Sequence, residues 1–313
     1  MATNLPLIAL MGNPNSGKTA IFNLLTGMNQ KVSNYPGITV EQRRGNAQLT
    51  DNSTVEIMDM PGTYSLTPES LDEKIVAQQT LKWLNGIDRP AAIISVVDAG
   101  NLSRNLYLTS QVMELGIPVI IALNMMDRLK RKNQEIDSVK LQKMLGAHAV
   151  IPMSAQEKWG INELQAELTD VITKENIEVC SHIQMEIPTE IEKIINPISE
   201  FLHNKCDHDN YITNVQALRL ITRKSAFDLY SECEDLSSSE IKSLILLRDK
   251  VAHEIDELGL NHRILEATLR FEMLDNTLKD LTLINQNEIK NQSRSERVDK
   301  MLTHKWLGPL IFL

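Results

Sequence analysis

Gly12-Asn13-Pro14-Asn15-Ser16-Gly17-Lys18-Thr19 is the stretch on which the fold turns. Its spacing is G-x-x-x-x-G-K-[ST]. The apolar run Leu7-Ile8-Ala9-Leu10-Met11 leads into it as a buried strand, and a helix opens near Thr19. Glycines let such a loop wrap closely, so that backbone N–H groups and the positive end of the helix face an anion. Lys18 supplies a point charge for the β- and γ-phosphates, the Thr19 hydroxyl is a ligand for Mg2+, and Ala20 follows within reach of the phosphates. Strand, loop and helix in this order predict a phosphate site at the edge of a parallel sheet.

Further apolar runs at residues 54–58, 91–97 and 118–123 read as strands covered on both faces. Residues 71–84 and 102–115 carry apolar positions at helical spacing between them. The alternation predicts an α/β, doubly wound, mostly parallel sheet. Each strand end then offers a polar loop. Asp59-Met60-Pro61-Gly62 places a carboxylate for Mg2+ and a glycine N–H for the γ-phosphate. In Asn124-Met125-Met126-Asp127 the Asp127 carboxylate can accept from guanine N1 and N2, while Asn124 braces the loop. Adenine lacks that donor pair, so this element selects GTP and GDP over their adenine counterparts. Ser154-Ala155 falls where a last base-contacting loop belongs.

After about residue 173 the texture changes. Residues 187–285 hold no convincing strand and read as packed helices, one starting at Pro188-Thr189-Glu190 and another capped at Ser237-Ser238-Ser239-Glu240. Residues 206–210 and 259–261 read as connections, and 285–295 as a polar linker. The expected division is a nucleotide-binding domain at 1–173, an all-α domain at 174–285 and a linker at 286–313. A net charge of −9 argues against nucleic acid as a partner. Cys180, Cys206 and Cys233 form no pair at ligand spacing, which fits a reducing cytosol. No signal peptide and no run of membrane-spanning length is present, although residues 306–313 turn apolar.

These motifs resemble the translation-factor-related class of small GTPases. Asn34-Tyr35-Pro36-Gly37-Ile38-Thr39-Val40-Glu41, Asp59-Met60-Pro61-Gly62-Thr63-Tyr64-Ser65-Leu66 and the stretch 297–313 are similar, more narrowly, to the ferrous iron transport protein B family. The resemblance implies a P-loop GTPase domain followed by a helical spacer that favours the GDP-bound state. It also implies a linker to a membrane domain, absent here, that moves Fe2+. The setting is then the cytoplasmic face of the bacterial inner membrane, with a small cytosolic accessory protein and a homo-oligomer as candidate partners. A soluble GTPase of ribosome assembly or tRNA modification shares the same elements. The acidic balance, the helical second half and the apolar C-terminus favour the transporter.

The first switch supplies Gly37, Ile38 and Thr39, with Thr39 assigned to Mg2+ and the γ-phosphate. Where many GTPases carry a water-orienting Gln after the DxxG glycine, this chain has Thr63, which predicts slow hydrolysis. Asn15 matches the asparagine that binds K+ in potassium-activated relatives. Asn15, Lys18 and Thr39 are therefore the expected catalytic residues. Glu69, Asp72 and Glu73 read first as partners of a helix dipole. The histidines and cysteines do not cluster at ligand spacing, and no iron site is visible.

Overall fold

The computed structural model describes residues 5–27, 30–34, 41–174, 183–205, 208–233, 236–279 and 281–284. Gly37, Ile38 and Thr39, the 286–313 linker, Cys180 and Cys206 lie outside the described residues. Strands β1 (Leu7–Gly12), β2 (Gln30–Asn34), β3 (Glu41–Gln48), β4 (Thr54–Asp59), β5 (Ala92–Asp98) and β6 (Val119–Asn124) precede a short β7 (Gln134–Ile136) and β8 (Ala149–Pro152). A last strand, β9, covers Thr282–Ile284. The main sheet has the order β2-β3-β4-β1-β5-β6-β8. Its β4-β1-β5-β6-β8 part is parallel, and β3 and β2 are added antiparallel at one edge.

Helices α1 (Lys18–Thr26) and α6 (Ile161–Thr173) cover one face, where Phe22, Leu25, Leu164 and Leu168 meet Ile8, Leu10 and Ile120. The other face takes α2 (Leu71–Leu84), α3 (Leu102–Met113) and α5 (Ser138–Leu145), with Trp83, Val112 and Leu141 against Ala9, Ile93 and Ile121. Helix α4 (Met126–Arg131) follows β6 directly. The doubly wound reading is borne out. Central strands β5 and β6 are buried at every position, as parallel strands between two helical layers must be.

The second half is built from α7 (Thr189–His203), α8 (Asn210–Thr222), α9 (Lys224–Cys233), α10 (Ser238–Glu257) and α11 (Leu265–Leu278). Their own core gathers Ile195, Ile198, Leu218, Phe227, Leu244 and Ile255. The expected cap at Ser237 is a capping box: its hydroxyl accepts from the Glu240 N–H, and the Glu240 carboxylate accepts from the Ser237 N–H. The same device at Ser70 and Glu73 opens α2, which accounts for Glu73 as a helix-start residue. One expectation is corrected. The second half does contain a strand, because β9 pairs antiparallel with β7 of the first half. Three residues on each side are too few for alternation to register in sequence.

Gly160, the N-cap of α6, has φ 87°, and a Cβ there would lie 2.4 Å from the Met153 Cβ and 2.7 Å from the Pro152 oxygen. Gly160→Ala therefore meets both a left-handed backbone cost of about 1–2 kcal/mol and a clash with β8. Urea denaturation is expected to show a lower midpoint with an unchanged slope.

Candidate functional site

Parallel strands deliver their loops to the carboxyl edge of the sheet, and β1, β4, β6 and β8 all end there. The register sets Leu10 opposite Asp59, Asp98 opposite Asn124 and Leu123 opposite Pro152, so the polar strand ends form one row. The loop after β1 takes a left-handed turn at Asn15 (φ 64°) and at Gly17 (φ 93°). A Cβ on Gly12 would meet the Val96 oxygen at 2.7 Å, and one on Gly17 would meet the Asn124 amide nitrogen at 2.2 Å. Close approach thus demands glycine at both positions, and backbone shape adds to the demand at Gly17. Pro14, Asn15, Thr19 and Ala20 are exposed, while Asn13 and Ser16 are buried with Asn13 Oδ1 and Ser16 Oγ unpaired. Asn13 donates instead through Nδ2 to the Arg104 oxygen at 3.3 Å.

Asp59 at the end of β4 contacts the Lys18 ammonium, and both side chains are largely buried. The two charges expected to serve phosphate and Mg2+ neutralise each other. The chain beyond Asp59 is laced to the phosphate loop: Met60 N–H donates to the Leu10 oxygen at 3.0 Å and Thr63 N–H to the Gly12 oxygen at 3.3 Å. Gly62 lies against Pro14. Thr63 is buried, and its hydroxyl donates to the Ser65 oxygen at 2.7 Å with Glu73 Oε1 at 3.3 Å.

At the loops after β6 and β8 Asn124 is the brace. Its Nδ2 donates to the Ser16 oxygen and its Oδ1 accepts from the Ala155 N–H, each at 2.9 Å. The Ala155 N–H therefore serves Asn124 in this structure. Met125 takes a left-handed φ of 63° and turns the chain into α4. That turn holds Asp127 in a buried position, where Oδ1 accepts from the Ser154 hydroxyl at 2.9 Å and Oδ2 from Arg131 at 3.1 Å. Backbone bonds between Ser154 and Trp159 close the loop that carries Ser154 and Ala155.

Sequence reasoning missed a second cluster. Gln111 on α3 is fully buried, and its Oε1 accepts from the Leu66 N–H at 2.8 Å and from the Ser65 hydroxyl at 3.3 Å. Its Nε2 donates to Glu266 Oε1 of α11 at 3.2 Å, while Tyr107 donates to Glu266 Oε2 at 2.7 Å. Arg270, 1% exposed, then spans Glu266 at 2.7 Å and Glu114 at 2.8 Å, and Glu114 also pairs with Arg219 of α8. A nearby clasp joins the same surfaces: Ser225 Oγ donates to the Pro68 oxygen at 2.7 Å and Arg223 pairs with Glu69. The sequence signal is faint, a Gln and a Glu three apart on an apolar helix face.

Burial pushes the Glu266 carboxyl up, but Arg270 and Arg219 outweigh it and hold the group at about 2. Burial and the Glu266 charge push the Tyr107 hydroxyl upward. A depressed carboxyl stabilises the fold above its unfolded value, and that contribution is lost as pH falls through the folded value. The docked halves are thus expected to lose stability between about pH 4.5 and 2. Arg270→Met leaves two buried carboxylates short of a partner, costs about 3–5 kcal/mol and flattens that acid slope. Denaturation followed at several pH values checks both.

The fold and the loops along its carboxyl edge define a P-loop GTPase domain with a helical companion. The sequence profile of ferrous iron transport protein B matches residues 7–168, more than half of the chain, and the chain belongs to that family. The Fe(2+) transporter FeoB of Staphylococcus aureus (strain COL) is 32% identical over 304 residues, 97% of this chain and 42% of that protein. A Porphyromonas gingivalis Fe(2+) transport protein A/Fe(2+) transporter FeoB fusion protein is 34% identical over 311 residues, 98% of this chain and 35% of its own length. The chain thus spans less than half the length of these relatives. Among solved structures, the cytosolic domain of L. pneumophila FeoB superposes with a TM-score of 0.68 at 33% identity, covering 89% of this chain and 100% of that one. Among the described residues no helix is long and apolar enough to cross a membrane.

Proposed function

We propose that this chain is the guanine-nucleotide switch of a ferrous iron transporter and converts GTP to GDP and phosphate. The observation that carries the reading is the buried Asp127 carboxylate, held by Ser154 and Arg131 beside a phosphate loop that Asn124 ties to the same edge. Gly12 to Ala20 wrap the phosphates with Lys18 on the β- and γ-groups, and Met60, Pro61 and Gly62 flank them. Asn124, Met125, Asp127, Ser154 and Ala155 receive the base. Hydrogen bonds to a charged acceptor contribute about 1.5–3 kcal/mol each. Asp127→Asn is therefore expected to weaken GDP by on the order of 10²-fold or more and to favour xanthine nucleotides, as read by fluorescent-nucleotide titration. Unchanged GDP affinity would remove the guanine assignment.

The donor set fits Mg2+: Asp59 and the Thr19 hydroxyl are hard oxygen ligands on the two elements that meet at Lys18, with Thr39 as the third. When bound, the ion supplies charge neutralisation at the β- and γ-oxygens. Thr63 contributes little to orienting water, since its hydroxyl is committed to Ser65 and Glu73. Slow intrinsic turnover follows, with K+ held by the exposed Asn15 as the missing positive charge. Single-turnover hydrolysis is expected to run faster in K+ than in Na+ for the wild type, and at one slow rate in both salts for Asn15→Ala. Equal wild-type rates in the two salts overturn the K+ role.

The wider setting belongs to the same proposal. Residues 1–173 form the nucleotide domain, 174–285 the spacer that favours GDP, and 286–313 the lead to a membrane domain that carries Fe2+, with this chain at the cytoplasmic face of the bacterial inner membrane. The Porphyromonas gingivalis fusion supports a small accessory protein as partner. Gln111 supplies the route between nucleotide and spacer, because it bonds the Ser65–Leu66 turn on one side and Glu266 on the other.

A further inference from the structure

At the opposite edge of the sheet, His148 stands just before β8. Its backbone is fixed on both sides: its N–H donates to the Val119 oxygen at 2.9 Å, and its own oxygen accepts from Gln142 Nε2 at 2.8 Å. The imidazole is thereby aimed at the last turns of α6. Nε2 lies 3.6 Å from Glu167 Oε2 and 3.4 Å from Asp170 Oδ2, and it is shielded from solvent with no hydrogen-bond partner. One donor atom from each of the three residues lies within 4.8 Å of the others.

These separations fit loose ion pairs and also fit ligands around a shared cation. An imidazolium bonded to a carboxylate would bring N and O to about 2.7–2.9 Å, shorter than either contact here. Tetrahedral ligands around a cation with bonds of about 2.0–2.2 Å stand about 3.3–3.6 Å apart, which matches both. We propose that His148, Glu167 and Asp170 form a binding site for a first-row divalent transition metal, separate from the Mg2+ position at the carboxyl edge. One imidazole with two carboxylates suits Fe2+, Co2+, Mn2+ or Zn2+, whereas Mg2+ and Ca2+ favour all-oxygen shells. Glu167 and Asp170 are each about one-third exposed, which leaves access for the ion and its remaining water ligands.

Lys174 makes the site testable in two directions. Its ammonium holds Asp170 Oδ2 at 2.7 Å and competes with a cation for that oxygen. The site pins the last turns of α6 to β8, where the chain leaves the nucleotide domain. It stands independently of the guanine reading.

The test is an anaerobic titration of the full chain, in excess Mg2+ and GDP, with Co2+ followed by visible absorption and with Fe2+, Mn2+ and Zn2+ by equilibrium dialysis. A single transition-metal ion is expected to bind despite the Mg2+. His148→Ala and the Glu167→Gln, Asp170→Asn pair should weaken it by about tenfold or more. Lys174→Ala, at an exposed position that leaves the three ligands in place, should tighten it severalfold. Binding no stronger in the wild type than in His148→Ala, or no gain with Lys174→Ala, overturns the site.

Discussion

A guanidinium sealed away from water governs how the two halves of this chain fit together. Arg270 cannot shed its proton, so it is compatible with burial only where carboxylates meet it. Glu266 comes from its own helix and Glu114 follows α3, and Arg219 then balances the excess negative charge. Both halves must be in register for the set to close. A displaced α11 would leave ions stranded on each side. The apolar contacts around it, such as Phe271 stacked on Tyr107 at 4.9 Å, add area but tolerate sliding that the charges do not.

The same cluster reaches the carboxyl edge of the sheet because Gln111 has a donor and an acceptor end. The acceptor fixes the turn at Ser65 and Leu66, and the donor bonds Glu266 of α11. That turn continues from Thr63, whose N–H is bonded to Gly12 at the root of the phosphate loop. A chain of direct hydrogen bonds and a few residues of backbone therefore connects the phosphate loop to α11. Asn124 performs the analogous service after β6, holding two loops to each other through one amide.

What is legible in the sequence is what local spacing encodes. The phosphate loop, Asp59, the Asn124–Asp127 tetrad and the Ser237 cap are each contiguous, and their geometry follows from the strand or helix they border. Strands β2 and β3 leave no such signal. Gln-Lys-Val-Ser-Asn and Glu-Gln-Arg-Arg-Gly-Asn-Ala-Gln are polar, and they sit at the sheet edge, where few apolar side chains are required. Gln111 and Glu266 are 155 positions apart, so only the tertiary fold unites them. His148 escapes for a related reason: its partners are carboxylates on a helix, and an acid pair at that spacing is common on solvated faces.

Gly17 and Asn124 also have a consequence for how this family can diverge. The Asn124 amide occupies the space where a side chain at 17 would begin, and the backbone there is left-handed as well. Shrinking residue 124 relieves only the first obstacle. Variation at 124 can therefore coexist with glycine at 17, but a side chain at 17 is incompatible with asparagine at 124. Freedom at position 17 is thus limited by a residue from a different loop, the one that follows β6.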